Sequence, residues 1–150
     1  MKIGIYKCQL VREAYASYRY GHVKSTHEAK RIVLEVTKEL LENAPQEHFL
    51  VLTCDTKLKP IALHIITVGT LDASLVHPRE IFRVAFLDNA SSILLIHNHP
   101  SGEVTPSSQD HEVTERTKKA GELLGVQVLD HIIVGHSDGN WQAWSLAEGY

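Results

Sequence analysis

Residues 92–110 read SILLIHNHPSGEVTPSSQD, and the order of residue types there limits the folds open to the chain. Ser92 to Ile96 is a short continuous apolar run, as expected of a strand buried on both faces. It delivers His97 at its end, and Pro100-Ser101-Gly102 then turns the chain. Ser107 followed three residues later by Asp110 is a helix-start pattern. A buried strand leading through a tight turn into a helix is the building unit of an α/β sheet.

The rest of the chain supplies compatible elements. Ser25-Thr26-His27-Glu28 resembles a capping box, and from Ala29 the apolar residues Ile32, Val33, Val36, Leu40 and Leu41 keep helical spacing to about Asn43, before Pro45 ends the helix. Phe49 to Cys54 reads as a buried strand, closed by the turn Asp55-Thr56-Lys57, and Ile61 to Val68 as its antiparallel partner. Pro78 suits the first position of a helix reaching about Asp88, with Ile81, Phe82, Ala85 and Phe86 inward. Ser107 opens a helix through Leu124 that Gly125 stops. Strands then follow over Val126 to Val134 and Trp141 to Leu146. Ahead of all this, Ile3 to Val11 reads as a strand, followed by a polar connection through Tyr15, Tyr18 and Tyr20. The predicted fold is a three-layer α/β (α+β) domain with a mixed sheet. Residues 1–24 form an N-terminal strand and connection packed on a main domain of residues 25–150.

Composition bounds the function classes. A formal net charge of −3 without a basic run argues against a dedicated nucleic-acid binder. Lys57, Lys59, Lys118 and Lys119 read as solvated. Cys8 and Cys54 form no C-x-x-C pair, and with no recognisable signal peptide they fit a cytoplasmic protein. No apolar run is long enough to span a membrane.

The chemistry lies in the 97–110 stretch. With 10 His in 150 residues, a bare His-x-His arises by chance about 0.7 times. Requiring the Pro, Ser and Asp at their offsets lowers that to roughly 10⁻⁴. Residues i and i+2 at a strand end point the same way, so His97 and His99 can meet one ion. Asp110, in the first turn of the next helix, is kept ionised by the helix dipole. Two imidazoles and a carboxylate are a three-ligand set for Zn²⁺ that leaves the fourth position for water, the arrangement of a catalytic site. Ser107 and Asp110 also serve as a plain helix cap, and Ser107 can cap and touch substrate at once. A hydrolase of this kind needs a general base. Glu103 and Glu112 are poorly placed; Glu47, at the mouth of the Phe49 strand, is a candidate whose bland alternative is a solvated loop carboxylate. His22, His27, His48, His64 and His111 read as surface or capping residues, and His136 as a turn residue. His131 reads as a satisfied core histidine or a support for the site from behind. Trp141 and Trp144 read as packing.

The pattern of a distant Glu, then H-x-H-P, six residues and S-x-x-D, resembles the JAMM (MPN+) metalloprotease motif and matches at His97, His99, Pro100, Ser107 and Asp110. PREIFR (78–83), HNHPSG (97–102), AGELLG (120–125) and LDHIIVG (129–135) are more narrowly similar to bacterial RadC-like proteins, in a short form without their helix-hairpin-helix region. The resemblance implies a cytidine-deaminase-like fold in which His97, His99 and Asp110 hold zinc. It assigns Glu47 as the residue that takes the water's proton and Ser107 as an oxyanion stabiliser. It also implies a zinc metallopeptidase acting on a peptide or protein substrate, in some family members a ubiquitin-like conjugate. The competing expectations are a nucleic-acid-associated repair or plasmid factor with structural zinc, and an interaction module with an idle site. A zinc deaminase would need H-x-E and P-C-x-x-C, which this chain lacks. Composition and motifs do not specify the oligomeric state.

Overall fold

A computed structural model describes residues 3–4, 9–19, 21–69 and 76–148. Among the described residues five strands and three helices follow in the order α1 (Thr26–Leu41), β1 (His48–Cys54), β2 (Pro60–Val68), α2 (Pro78–Leu87), β3 (Ser92–His99), α3 (Ser108–Leu124), β4 (Gln127–Ser137) and β5 (Asn140–Ser145). The strands form one sheet in the spatial order β2-β1-β3-β4-β5. Its pairs are antiparallel except β3 with β4. A parallel pair needs a crossover, and α3 supplies it.

Alternation along the central strands divides the core into two layers. Leu50, Leu52, Leu94, Ile96, Ile132 and Val134 face α1, where Ile32, Val33 and Val36 meet them. Phe49, Val51, Ile93 and Leu95 face the other way, against Ile81 and Phe82 of α2 and Val113 of α3. Each central strand is buried on both faces, which is why β1 and β3 read as continuous apolar runs. The mixed sheet between helical layers agrees with the sequence expectation.

The helix boundaries follow local chemistry. Ser25 caps α1 by accepting from the Glu28 N–H at 3.2 Å, while the Glu28 carboxylate reaches back to the Lys24 N–H at 3.0 Å. Pro78 opens α2. Ser107 caps α3 in a full capping box with Asp110, and Gly125 ends it in the left-handed conformation at φ 70°.

Several expectations need correction. Within Ile3 to Val11, residues 3–4 and 9–11 are not in a strand and 5–8 lie outside the described residues. Ile3 and Val11 are 95% and 77% exposed, and apolar alternation makes no strand without a neighbour to complete its ladder. The connection after them touches the domain through Tyr18, packed against the α1 core, and through Arg19, whose guanidinium meets Glu35 at 2.7 Å. Tyr20 and Cys8 lie outside the described residues. Phe86 does not point inward; it is 51% exposed and lies at the flank of α2 beside Phe82. His136 is not in a turn but on β4, stacked on Trp141 across the β4–β5 pair. Trp144 lies on the edge strand β5 and is 42% exposed, outside the core. His64 is half-buried and bonded to Asp88 at 2.6 Å. Among the described residues no helix is long and apolar enough to cross a membrane.

Candidate metal centre

β3 runs on through His99, two residues beyond His97, so that the strand itself presents both histidines. Their side chains share the α2/α3 face with Leu95. Gly102 donates its N–H to the His99 carbonyl at 3.0 Å, closing the turn. The turn is pressed onto β4: a Cβ on Gly135 would lie 2.4 Å from the Gly102 carbonyl oxygen, so only glycine permits this approach. Gly102 itself has φ +83°, the left-handed region. The chain then reaches Ser107 and the start of α3, which brings Asp110 to the end of β3.

His97, His99 and Asp110 come together, each offering one ligand atom within 4.8 Å of the others. His97 and Asp110 are fully buried, while His99 is partly open to solvent. The Asp110 carboxylate has divided duties. Its Oδ2 accepts from the Ser107 N–H at 2.6 Å and from the Ser107 hydroxyl at 2.7 Å. Its Oδ1 is buried without a hydrogen bond and lies 3.2 Å from His97 Nε2. Such an orphaned anionic oxygen is costly unless a cation meets it.

Donor accounting fixes the tautomers. The Thr114 hydroxyl lies 2.6 Å from the Asp110 carbonyl oxygen, which has no hydrogen, so the hydroxyl must donate there. The same hydroxyl therefore accepts from His131 Nδ1–H, 2.7 Å away. His131 Nε2 is then a bare acceptor and takes the proton of His97 Nδ1 at 3.0 Å. His99 Nδ1 donates to the Glu103 carbonyl at 2.6 Å. Both imidazoles thus turn an Nε2 lone pair toward the Asp110 carboxylate, His97 3.2 Å from Oδ1 and His99 3.7 Å from Oδ2, with the two Nε2 atoms 2.8 Å apart. Three converging lone pairs repel one another unless a cation or a proton sits between them. The donor set fits a metal ion, and the hydrogen bonds behind it are those that orient metal-ligating histidines.

The electrostatics agree. Burial pushes His97 down to about 4, and burial together with the neighbouring His97 holds His131 well below the imidazole range. His99 is raised by its contact with Asp110. Burial would lift the Asp110 carboxyl, but the His99 contact, the charge of His97 and the Ser107 bonds hold it far below the usual carboxylate range. Glu47 lies just before β1. The β1–β3 register pairs Phe49 with His97, and its continuation sets Glu47 opposite His99. The Glu47 charge reaches that ring and helps to raise it.

Residues 25–149 match the family described as the RadC-like JAB domain. The chain belongs to the RadC-like JAB domain family. It is 50% identical over 108 residues to the UPF0758 protein CT0611 of Chlorobaculum tepidum, covering 72% of this chain and 49% of that protein. It is 41% identical over 153 residues to the UPF0758 protein SH1266 of Staphylococcus haemolyticus, covering 99% of this chain and 66% of that protein. A UPF0758 protein of Thermotoga maritima is 55% identical over 84 residues, 56% of this chain and 38% of its own length. The chain thus spans about half the length of the relatives it matches.

Within this JAB domain His97, His99 and Asp110 come together at the end of β3 with Ser107 bonded to Asp110, and two others join them. His131 is a satisfied core histidine, and its partner is His97 itself. The aspartate before it accepts from Ser145 and from two backbone N–H groups, which anchors the chain after β5. Thr114, one helical turn past Asp110, carried no signal of its own.

Proposed function

We propose that this JAB domain is a zinc-dependent amide hydrolase that cleaves a peptide or isopeptide bond. The observation that supports it is the convergence of two imidazole lone pairs and the Asp110 carboxylate, whose Oδ1 is orphaned, at a ring that the Glu47 charge reaches. Zinc held by His97, His99 and Asp110 would supply Lewis acidity and lower the proton affinity of a water at its open position.

The remaining work falls to the chain's own groups. Glu47, opposite His99, accepts the water's proton and delivers it to the leaving amine. The half-open side of His99 gives substrate its approach, while buried His97 and His131 keep water away from behind. Ser107 is exposed, and its hydroxyl can turn from Asp110 Oδ2 to donate to a developing oxyanion. Asp110 keeps its bond from the Ser107 backbone N–H when that happens. A peptide or protein chain, ubiquitin-like tails included, is the substrate class we infer, and a cytoplasmic location fits the free Cys54 thiol.

Elemental analysis of protein purified without added metal, beside the His97→Ala, His99→Ala double variant, tests the metal. About one zinc per chain in the wild type and none in the variant is expected; no zinc after reconstitution would sink the reading. Glu47→Gln should keep the metal and lower peptide or isopeptide cleavage by about 10²–10⁴-fold. Cleavage at the wild-type rate in that variant would remove Glu47 from the mechanism.

A further inference from the structure

Asn98 stands between the two histidines and, by strand alternation, faces away from them toward α1. The residue is 4% exposed, and its side chain makes two hydrogen bonds, both to the segment that carries Glu47. Oδ1 accepts from the His48 N–H at 2.7 Å, and Nδ2 donates to the Gln46 carbonyl at 3.1 Å. The two partners fix the amide's orientation, since an N–H needs an acceptor and a carbonyl needs a donor. The β1–β3 register ends at Phe49↔His97. One position further on, the Asn98 carboxamide acts as a peptide group would and holds the chain on both sides of Glu47. The Glu47 carbonyl is held from the opposite strand by the Gly69 N–H at 2.8 Å.

We infer that Asn98 is a positioning residue: its carboxamide clamps the backbone at Gln46 and His48 and so sets Glu47 against the metal centre. The inference rests on the reading of Glu47 as proton acceptor. A carboxamide suits the task because it offers one donor and one acceptor side by side, where a carboxylate offers acceptors alone. The HNH triplet then serves both faces of the sheet. His97 and His99 supply ligands on one, and Asn98 fixes the neighbouring strand from the other. The Asn98→Asp change would keep the shape but set an anion against the Gln46 carbonyl, and Asn98→Ala would remove both anchors.

The test uses the cobalt(II)-loaded full chain, whose visible absorption is followed against pH in wild type, Glu47→Gln, Asn98→Ala and Asn98→Asp. Cobalt affinity is measured alongside by competition with a chromophoric chelator. A nearby negative charge opposes proton loss, so Glu47→Gln should move the spectral midpoint downward by about one unit. Asn98→Ala should move it in the same direction by part of that amount, and Asn98→Asp less far because its added carboxylate opposes the shift, with cobalt affinity within about threefold of wild type in both. Amide exchange at His48 should rise at least tenfold in Asn98→Ala, about the loss of one protecting hydrogen bond. A midpoint that shifts in Glu47→Gln but overlays wild type in both Asn98 variants overturns the clamp alone. No shift in Glu47→Gln overturns both the clamp and the role of Glu47. A tenfold or greater loss of cobalt affinity in both Asn98 variants would show Asn98 acting through the ligands, and would overturn the inference too.

Discussion

His97 and His99 sit two residues apart on one strand, yet their surroundings set them to opposite proton affinities. Burial takes His97 down to about 4, while the Asp110 contact raises His99 above its ordinary 6.5. Protons and metal compete for the same Nε2 lone pairs. Over the range from about pH 5 to the raised value of His99, only His99 carries a proton that the metal must displace. Zinc affinity should therefore fall about tenfold per pH unit in that range, a slope of one, and steepen only as His97 begins to protonate. Chelator competition between about pH 5 and 7 checks this, and a slope of two would show that both rings titrate together. The hydroxyl behind His131 is a second residue-scale test. Thr114→Val keeps the shape but leaves the Asp110 carbonyl and His131 Nδ1 without their shared partner. It should cost about 1–3 kcal/mol in stability and about 10–100-fold in zinc affinity by freeing the His97 tautomer. Thermal melts and the same chelator assay read both effects.

At the scale of elements, the site depends on how closely the turn after β3 lies on β4. Gly135→Ala would set a methyl 2.4 Å from the Gly102 carbonyl, and the turn would have to lift. The Glu103 carbonyl that orients His99 is one residue further along, so zinc affinity should drop about 10–100-fold. Gly125→Ala is the control. That glycine has φ +70° with nothing within 4 Å of an added Cβ, so the change should cost about 1 kcal/mol of stability and leave zinc binding alone. Equal zinc affinities in the two variants would contradict the close-approach argument. The boundaries of these elements were legible because single residues punctuate them: Ser25, Pro78, Ser107 and Gly125 do their work within one turn of chain. What β4 contributes was legible only as an open alternative, His131 reading as a core histidine or as a support for the site from behind. His131 meets His97 across a parallel pair whose crossover is the whole of α3, and no local pattern in residues 126–134 encodes that neighbour. Gly135 looked like the end of a strand, because its role appears only where two distant backbones touch.

Across the whole molecule, the two ends of the sheet do different things. The three-layer arrangement could be read from the sequence since β1 and β3 are apolar on both faces, a pattern that requires helices above and below. The first strand failed at residues 3–4 and 9–11, which pair with neither described edge of the sheet, β2 or β5. The edge strand β2 escaped the same fate through contacts the sequence did not announce. At the end away from the metal centre, one oxygen of Asp88, Oδ2, takes both the His64 ring at 2.6 Å and the Thr53 hydroxyl at 2.6 Å. Side-chain exposures there are 15% for His64 and 4% for Asp88. β2 is thereby pinned to β1 and to the C-terminal end of α2, although its outer face exposes Ile61, Ile65 and Val68. Asp88→Ala leaves the half-buried His64 ring nitrogen without its partner and the Thr53 hydroxyl with only the Ala62 carbonyl, 3.2 Å away, at a cost of about 1–3 kcal/mol. Four residues of strand, about 13 Å, separate Thr53 from Phe49 at the site's end of β1. Changes that far apart without shared partners add. Asp88→Ala combined with Gly135→Ala should therefore lower stability by the sum of the single effects within about 0.5 kcal/mol. Asp88→Ala alone should speed amide exchange along β2 and leave zinc affinity at its wild-type value. A loss of zinc in that variant, or a clear departure from additivity, would mean that the edge strand and the metal centre are mechanically coupled through β1.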